Sequence, residues 1–127
     1  MHYVSFAIVL ALLEYFFFVV IVAAARDKYP INASATTGDL NFESIFRIQQ
    51  NSLEQLVIFI PAIYLFGLYV HATTIAVIGL LFLIGRAIYY KAYITDPPTR
   101  TMGMVCGVAS YAILLLGALI VIILEII

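Results

Sequence analysis

Residues 46–70 read FRIQQNSLEQLVIFIPAIYLFGLYV. From Leu56 onward the stretch is a membrane span. Before it, Arg47, Gln49, Gln50, Asn51, Glu54 and Gln55 crowd the opening turns. The apolar part alone is too short for helix rising 1.5 Å per residue to cross roughly 30 Å of hydrocarbon. The helix must therefore start near Phe42, run to about Val70 and draw its polar turns into the membrane. Pro61 should kink it, which a packed bundle tolerates.

The rest of the chain agrees with this reading. Of 127 residues, 65% are hydrophobic and 10% are charged, and the mean hydropathy is +1.14. So few charges cannot supply the polar shell of a soluble domain. No basic run exists to grip phosphates, so nucleic acid is not an expected partner. Cys106 is alone and can form neither an intrachain disulfide nor a multi-cysteine metal site. His2 and His71 are too far apart in sequence to suggest a metal site, and none is expected.

Three further spans flank the first. Residues 3–25 form an apolar run interrupted only by Glu14, and it reads as a span rather than a cleaved signal peptide. Residues 75–93 and 101–124 supply the others, separated by the Pro-rich ITDPPTR. The expectation is an all-α, single-domain protein over residues 1–127, an integral membrane four-helix up-down bundle. Gly103 and Gly107 form a small-xxx-small pair that could seat a neighbouring helix. Glu14 is expected to be a neutral carboxyl hydrogen-bonded to a neighbouring helix rather than a site residue.

In that bundle all six cations, Arg26, Lys28, Arg47, Arg86, Lys91 and Arg100, fall toward one end. The positive-inside rule makes that end cytoplasmic and puts both termini on the opposite side. Arg47, Asn51 and Glu54 are spaced i, i+4, i+7, within roughly a 60° arc of helix surface, with Gln50 near the same face. Arg86, Tyr89 and Tyr93 make a second stripe, spaced i, i+3, i+7, with Tyr90 adjacent. Ionisable groups in a span normally face an interior or a wet cavity. Guanidinium suits carboxylates, Glu54 suits an ammonium, and Asn51 and Gln49 suit peptide amides. The complement is a small, zwitterionic, peptide-like anion arriving from the cytoplasm. The alternative at this point is an Arg–Glu pair that merely ties helices together.

FRIQQNSLEQLVIFIPA closely resembles the signature of the MAPEG proteins, membrane-associated proteins in eicosanoid and glutathione metabolism. Arg47, Asn51, Glu54 and Pro61 carry the likeness. GRAIYYKAYITDPPTR resembles the family's third-helix segment, and AAARDKYP the end of its first helix. The resemblance implies a homotrimer that binds glutathione as co-substrate between neighbouring subunits. It implies that Arg47, Asn51, Glu54 and Tyr93 hold glutathione, assisted by Tyr89, Gln49, Arg26 and Arg86. Arg100 matches the arginine that stabilises the glutathione thiolate.

The expected activity is a membrane glutathione transferase acting on a lipophilic electrophile brought by membrane lipid, with peroxidase activity toward lipid hydroperoxides as an extension. Gln55 stands where several eicosanoid-forming members have Tyr, and Thr101 where prostaglandin-forming members favour Ser. Both differences point away from a dedicated eicosanoid synthase. The short loops and QQNSLEQLVIFIPA resemble the bacterial members, hence a bacterial inner membrane. The competing reading is a non-catalytic lipid-binding or scaffold protein of the same fold. A transport or channel subunit ranks last, because the polarity stops near one face.

Overall fold

A computed structural model describes residues 1–127. It contains four long helices and no strand: α1 (His2–Lys28), α2 (Leu40–Gly67), α3 (Ala72–Thr95) and α4 (Thr101–Ile126), the last preceded by one 3₁₀ turn at Pro97–Arg100. All four are long and apolar enough to cross a membrane. The chain alternates direction. Val4 at the start of α1 meets Gly67 at the end of α2, and Ile75 at the start of α3 lies beside them. At the opposite end Val22, Ala25 and Phe42 pack together.

The helices differ from their sequence-based bounds for local reasons. α2 starts at Leu40 rather than Phe42 because Asp39 caps it: its carboxylate accepts from the backbone N–H groups of Asn41 (2.8 Å) and Phe42 (3.2 Å). Gly38 precedes the cap with φ of +136°, a conformation open to glycine, and its N–H donates to Glu43 (3.0 Å). α2 ends at Gly67 rather than Val70, and it continues through Pro61 without a break in helix. α3 gains residues at both ends.

α1 and α4 each pack on α2 and α3 and do not meet one another. A continuous apolar core joins all four helices, with Phe59 of α2 stacked on Phe82 of α3 at its centre (ring centroids 3.8 Å apart). Only 27 of 127 residues are buried, and the exposed remainder is dominated by large apolar side chains. A surface this apolar needs lipid or another protein chain against it.

The expected small-residue seam exists, and its partner is Gly85 of α3. A Cβ on Gly103 would lie 2.6 Å from the Gly85 carbonyl oxygen and 2.5 Å from the Tyr89 backbone nitrogen. Backbone thus faces backbone, and neither side can yield. Gly103→Ala is therefore expected to destabilise the protein by about 2 kcal/mol despite alanine's better helix propensity. Gly117→Ala meets only the ring of Phe66, which can turn, and should cost less. Thermal unfolding of both variants in one detergent tests the difference.

Candidate active site

The polar residues of α2 and α3 gather at the end that carries the cations. Arg86 is the largest fully buried side chain in the molecule, 1% exposed. Its Nη1 donates to Asn51 Oδ1 (2.8 Å) and its Nη2 to Ser52 Oγ (2.5 Å). Ser52 in turn donates to the Ile48 carbonyl one turn back (2.8 Å). The guanidinium also lies over the Tyr89 ring, 4.4 Å from its centroid. One arginine from α3 thus holds two consecutive side chains of α2.

A ladder of rings leads from there to the third loop. Tyr89 and Tyr93 lie 5.6 Å apart, and the Arg100 guanidinium lies 5.2 Å from the Tyr93 centroid. Arg100 is exposed, and one of its five N–H groups is used, donating to the Pro97 carbonyl (2.8 Å). The Pro97-Pro98 turn makes this possible, because it folds the loop back over the end of α3. Arg100 also stands at the N-terminal end of α4, where the helix dipole adds to its positive potential.

Arg47 and Glu54 occupy the outer edge of the α2 stripe. Their charged atoms are 4.0 Å apart, and their side chains are 58% and 59% exposed. Both belong to α2, so the pair cannot tie two helices together, and in the open it contributes little to stability. Both charges remain available to a ligand. Gln49 donates through Nε2 to the Tyr15 hydroxyl of α1 (2.9 Å), and Gln50 donates to Gln49 Oε1 (3.4 Å).

Other expected site residues have different surroundings. Arg26 donates to the carbonyls of Asn32 (2.8 Å) and Ala35 (2.7 Å) and lies over the Phe42 ring, so within one chain it secures the first loop. Tyr89 is 3% exposed, packed with Phe18 and Ile48 behind the stripe. Tyr90 stacks on Phe18. The expected hydrogen bond from Glu14 to a neighbouring helix is not formed. Glu14 instead lines a small cleft with Tyr15, Ser52 and Arg86, facing the arginine without reaching it.

Three contributors escaped the sequence reading. Ser52 sits beside Asn51 yet turns inward to Arg86. Gln55 is 5% exposed and is pressed against Gly107 of α4, where a Cβ would strike its Oε1. Tyr15 looked like one of many packing aromatics. The signal for Ser52 and Gln55 was present in their helical phase, one residue round from Asn51 and Glu54. None existed for Tyr15, whose role depends on which face α1 turns to α2.

Comparison with known proteins agrees with this architecture. The chain is 39% identical over 110 residues to an uncharacterized protein of Synechocystis sp., covering 87% of this chain and 80% of that one. It is 34% identical over 112 residues to microsomal glutathione S-transferase 2 of Homo sapiens, covering 87% and 76%. Leukotriene C4 synthase of Bos taurus is 28% identical over 96 residues, covering 76% and 63%. A sequence model described as the MAPEG family matches residues 4–120. With four apolar crossings and a match over nearly its whole length, the chain is an integral multi-pass membrane protein that belongs to the MAPEG family.

Proposed function

We propose that this protein is a membrane glutathione transferase that ionises the thiol of glutathione and directs it at a lipophilic electrophile. The observation that carries the reading is the α2 stripe, anchored from behind by Arg86 and open in front. A purely structural polar cluster would satisfy its members internally. Here an exposed Arg47–Glu54 pair, the Asn51 amide nitrogen and most of the Arg100 guanidinium are open to a ligand at one end of the bundle. That set complements a tripeptide with two carboxylates and one ammonium.

Arg47 and Arg100 supply the cations, Glu54 the anion, and Asn51, Gln49 and Tyr93 the neutral contacts. Arg86 and Tyr89 stand behind them. The ladder from Tyr89 through Tyr93 holds Arg100 at the mouth. There its charge stabilises the thiolate, the nucleophilic form of the thiol. The S–H proton leaves to solvent, and the sulfur lone pair forms the new C–S bond, either as a leaving group departs with its electron pair or as an activated double bond opens and takes up a proton. With a lipid hydroperoxide the thiolate attacks an oxygen, the O–O bond breaks, the alkoxide is protonated to the alcohol, and a second glutathione converts the sulfenic acid to the disulfide with loss of water.

In our reading the subunits form a homotrimer with the sites between them. The wide exposed apolar faces and the open Arg47–Glu54 edge both suit a neighbouring copy. The cluster of cations orients the site toward the cytoplasm, with both termini outside, in a bacterial inner membrane.

The test is spectroscopic. Adding glutathione to the purified protein should raise absorbance in the thiolate band. No rise would remove the transferase reading and leave the lipid-binding or scaffold role. Binding can be tested separately. Glu54→Ala should weaken glutathione about tenfold in calorimetry with little change in melting, because Glu54 is exposed. Gln55→Ala should show the opposite pattern, because Gln55 is buried.

A further inference from the structure

Asn51 has two ends, and only one is occupied. Its Oδ1 accepts from Arg86 Nη1 at 2.8 Å and from Gln55 Nε2 at 3.5 Å. Its amide nitrogen has no partner within the chain. Arg86 cannot accept a hydrogen bond, so it cannot tolerate the amide turned the other way. Buried and held at Ser52 as well, the guanidinium has no room to move aside. Gln49 is under no such constraint, because its partner, the Tyr15 hydroxyl, can donate as well as accept.

We infer that Arg86 is a positioning residue that fixes the hydrogen-bonding polarity of Asn51, which presents only N–H donors to the ligand. This rests on the proposed glutathione site and deepens it. The ligand atom at Asn51 is then a carbonyl or carboxylate oxygen. Arg86 need not touch the substrate; it selects which end of the Asn51 amide the substrate meets.

The decisive variant is Asn51→Asp. A carboxylate keeps the shape, satisfies Arg86 with a charge-assisted bond and removes every donor facing outward. It should melt at or above the wild-type temperature while binding glutathione at least about thirtyfold more weakly. Asn51→Ala, which removes the donor without adding charge, should weaken binding about tenfold. Arg86→Met leaves the Asn51 amide free to turn and should weaken glutathione about threefold to fivefold in calorimetry. In an Asn51→Ala background that loss should vanish, since Arg86 acts through Asn51.

Any of several results overturns the inference. Asn51→Asp could bind glutathione within threefold of wild type, or could fail to fold, which a carboxylate opposite Arg86 should not do. Asn51→Ala could bind like wild type, leaving charge repulsion as the whole effect of Asn51→Asp. The effect of Arg86→Met on affinity could persist without the Asn51 side chain. In each case the glutathione site itself would stand if wild type still gives the thiolate signal. If wild type binds no glutathione, the proposed function falls and the polarity assignment falls with it.

Discussion

Replacing Arg100 with alanine will lower kcat/KM for conjugation about 25-fold at pH 7, and the deficit will shrink toward nothing near pH 9. A free thiol has a pKa of about 8.5, so only about 3% is thiolate at pH 7. A guanidinium beside the sulfur that lowers this by about two units raises the fraction to about three quarters. Removing the charge returns the thiol to its solution value, and activity then climbs with pH between 7 and 9 while the wild type stays nearly flat. The rise in thiolate absorbance at neutral pH should disappear as well. Arg100→Lys should recover part of both, because it restores the charge without the planar stack on Tyr93. A variant whose deficit is the same at every pH would mean that Arg100 binds glutathione without ionising it.

The second large effect concerns stability. Arg86→Met should cost about 3 kcal/mol and lower the melting temperature by about 10 °C in detergent. The methionine fills much of the volume. It leaves Asn51 Oδ1 without its strongest donor, strips Ser52 Oγ of its charged partner and removes the cation from the Tyr89 face. It also leaves Glu14 in the cleft with no cation opposite. Arg86→Lys should recover less than half of the loss, since one ammonium cannot reproduce a fork that meets acceptors on two successive residues. Arg86→Met should also lose affinity for glutathione, because Asn51 becomes free to turn. Wild-type melting in Arg86→Met would show that the buried guanidinium organises nothing.

These two arginines carry opposite lessons about reading a sequence. Both were placed at the correct end of the bundle by hydropathy and charge alone, and the family signature attached a role to Arg100. Arg86 was grouped with the ligand-facing residues because it shares a stripe with Tyr89 and Tyr93. That stripe is real, but its first two members turn inward and only Tyr93 reaches the rim. Helical phase says which side chains share a face. It does not say what that face looks at.

The residue order alone carries the class, the four crossings, the end of the bundle that gathers the cations and the grouping of α2 residues in one polar stripe. It could do so because lipid imposes length and hydropathy, and the 3.6-residue repeat imposes phase; both act locally along the chain. Packing decides that Arg86 clamps Asn51 and Ser52, that Gln49 reaches Tyr15 and that Glu14 shares a cleft with the arginine. Those contacts depend on the rotation and depth of each helix against its neighbours. Such settings come from close approaches between helices: the Gly103–Gly107 pair marks where α4 can be approached, but that Gly85 is the residue that approaches is recorded in no local pattern.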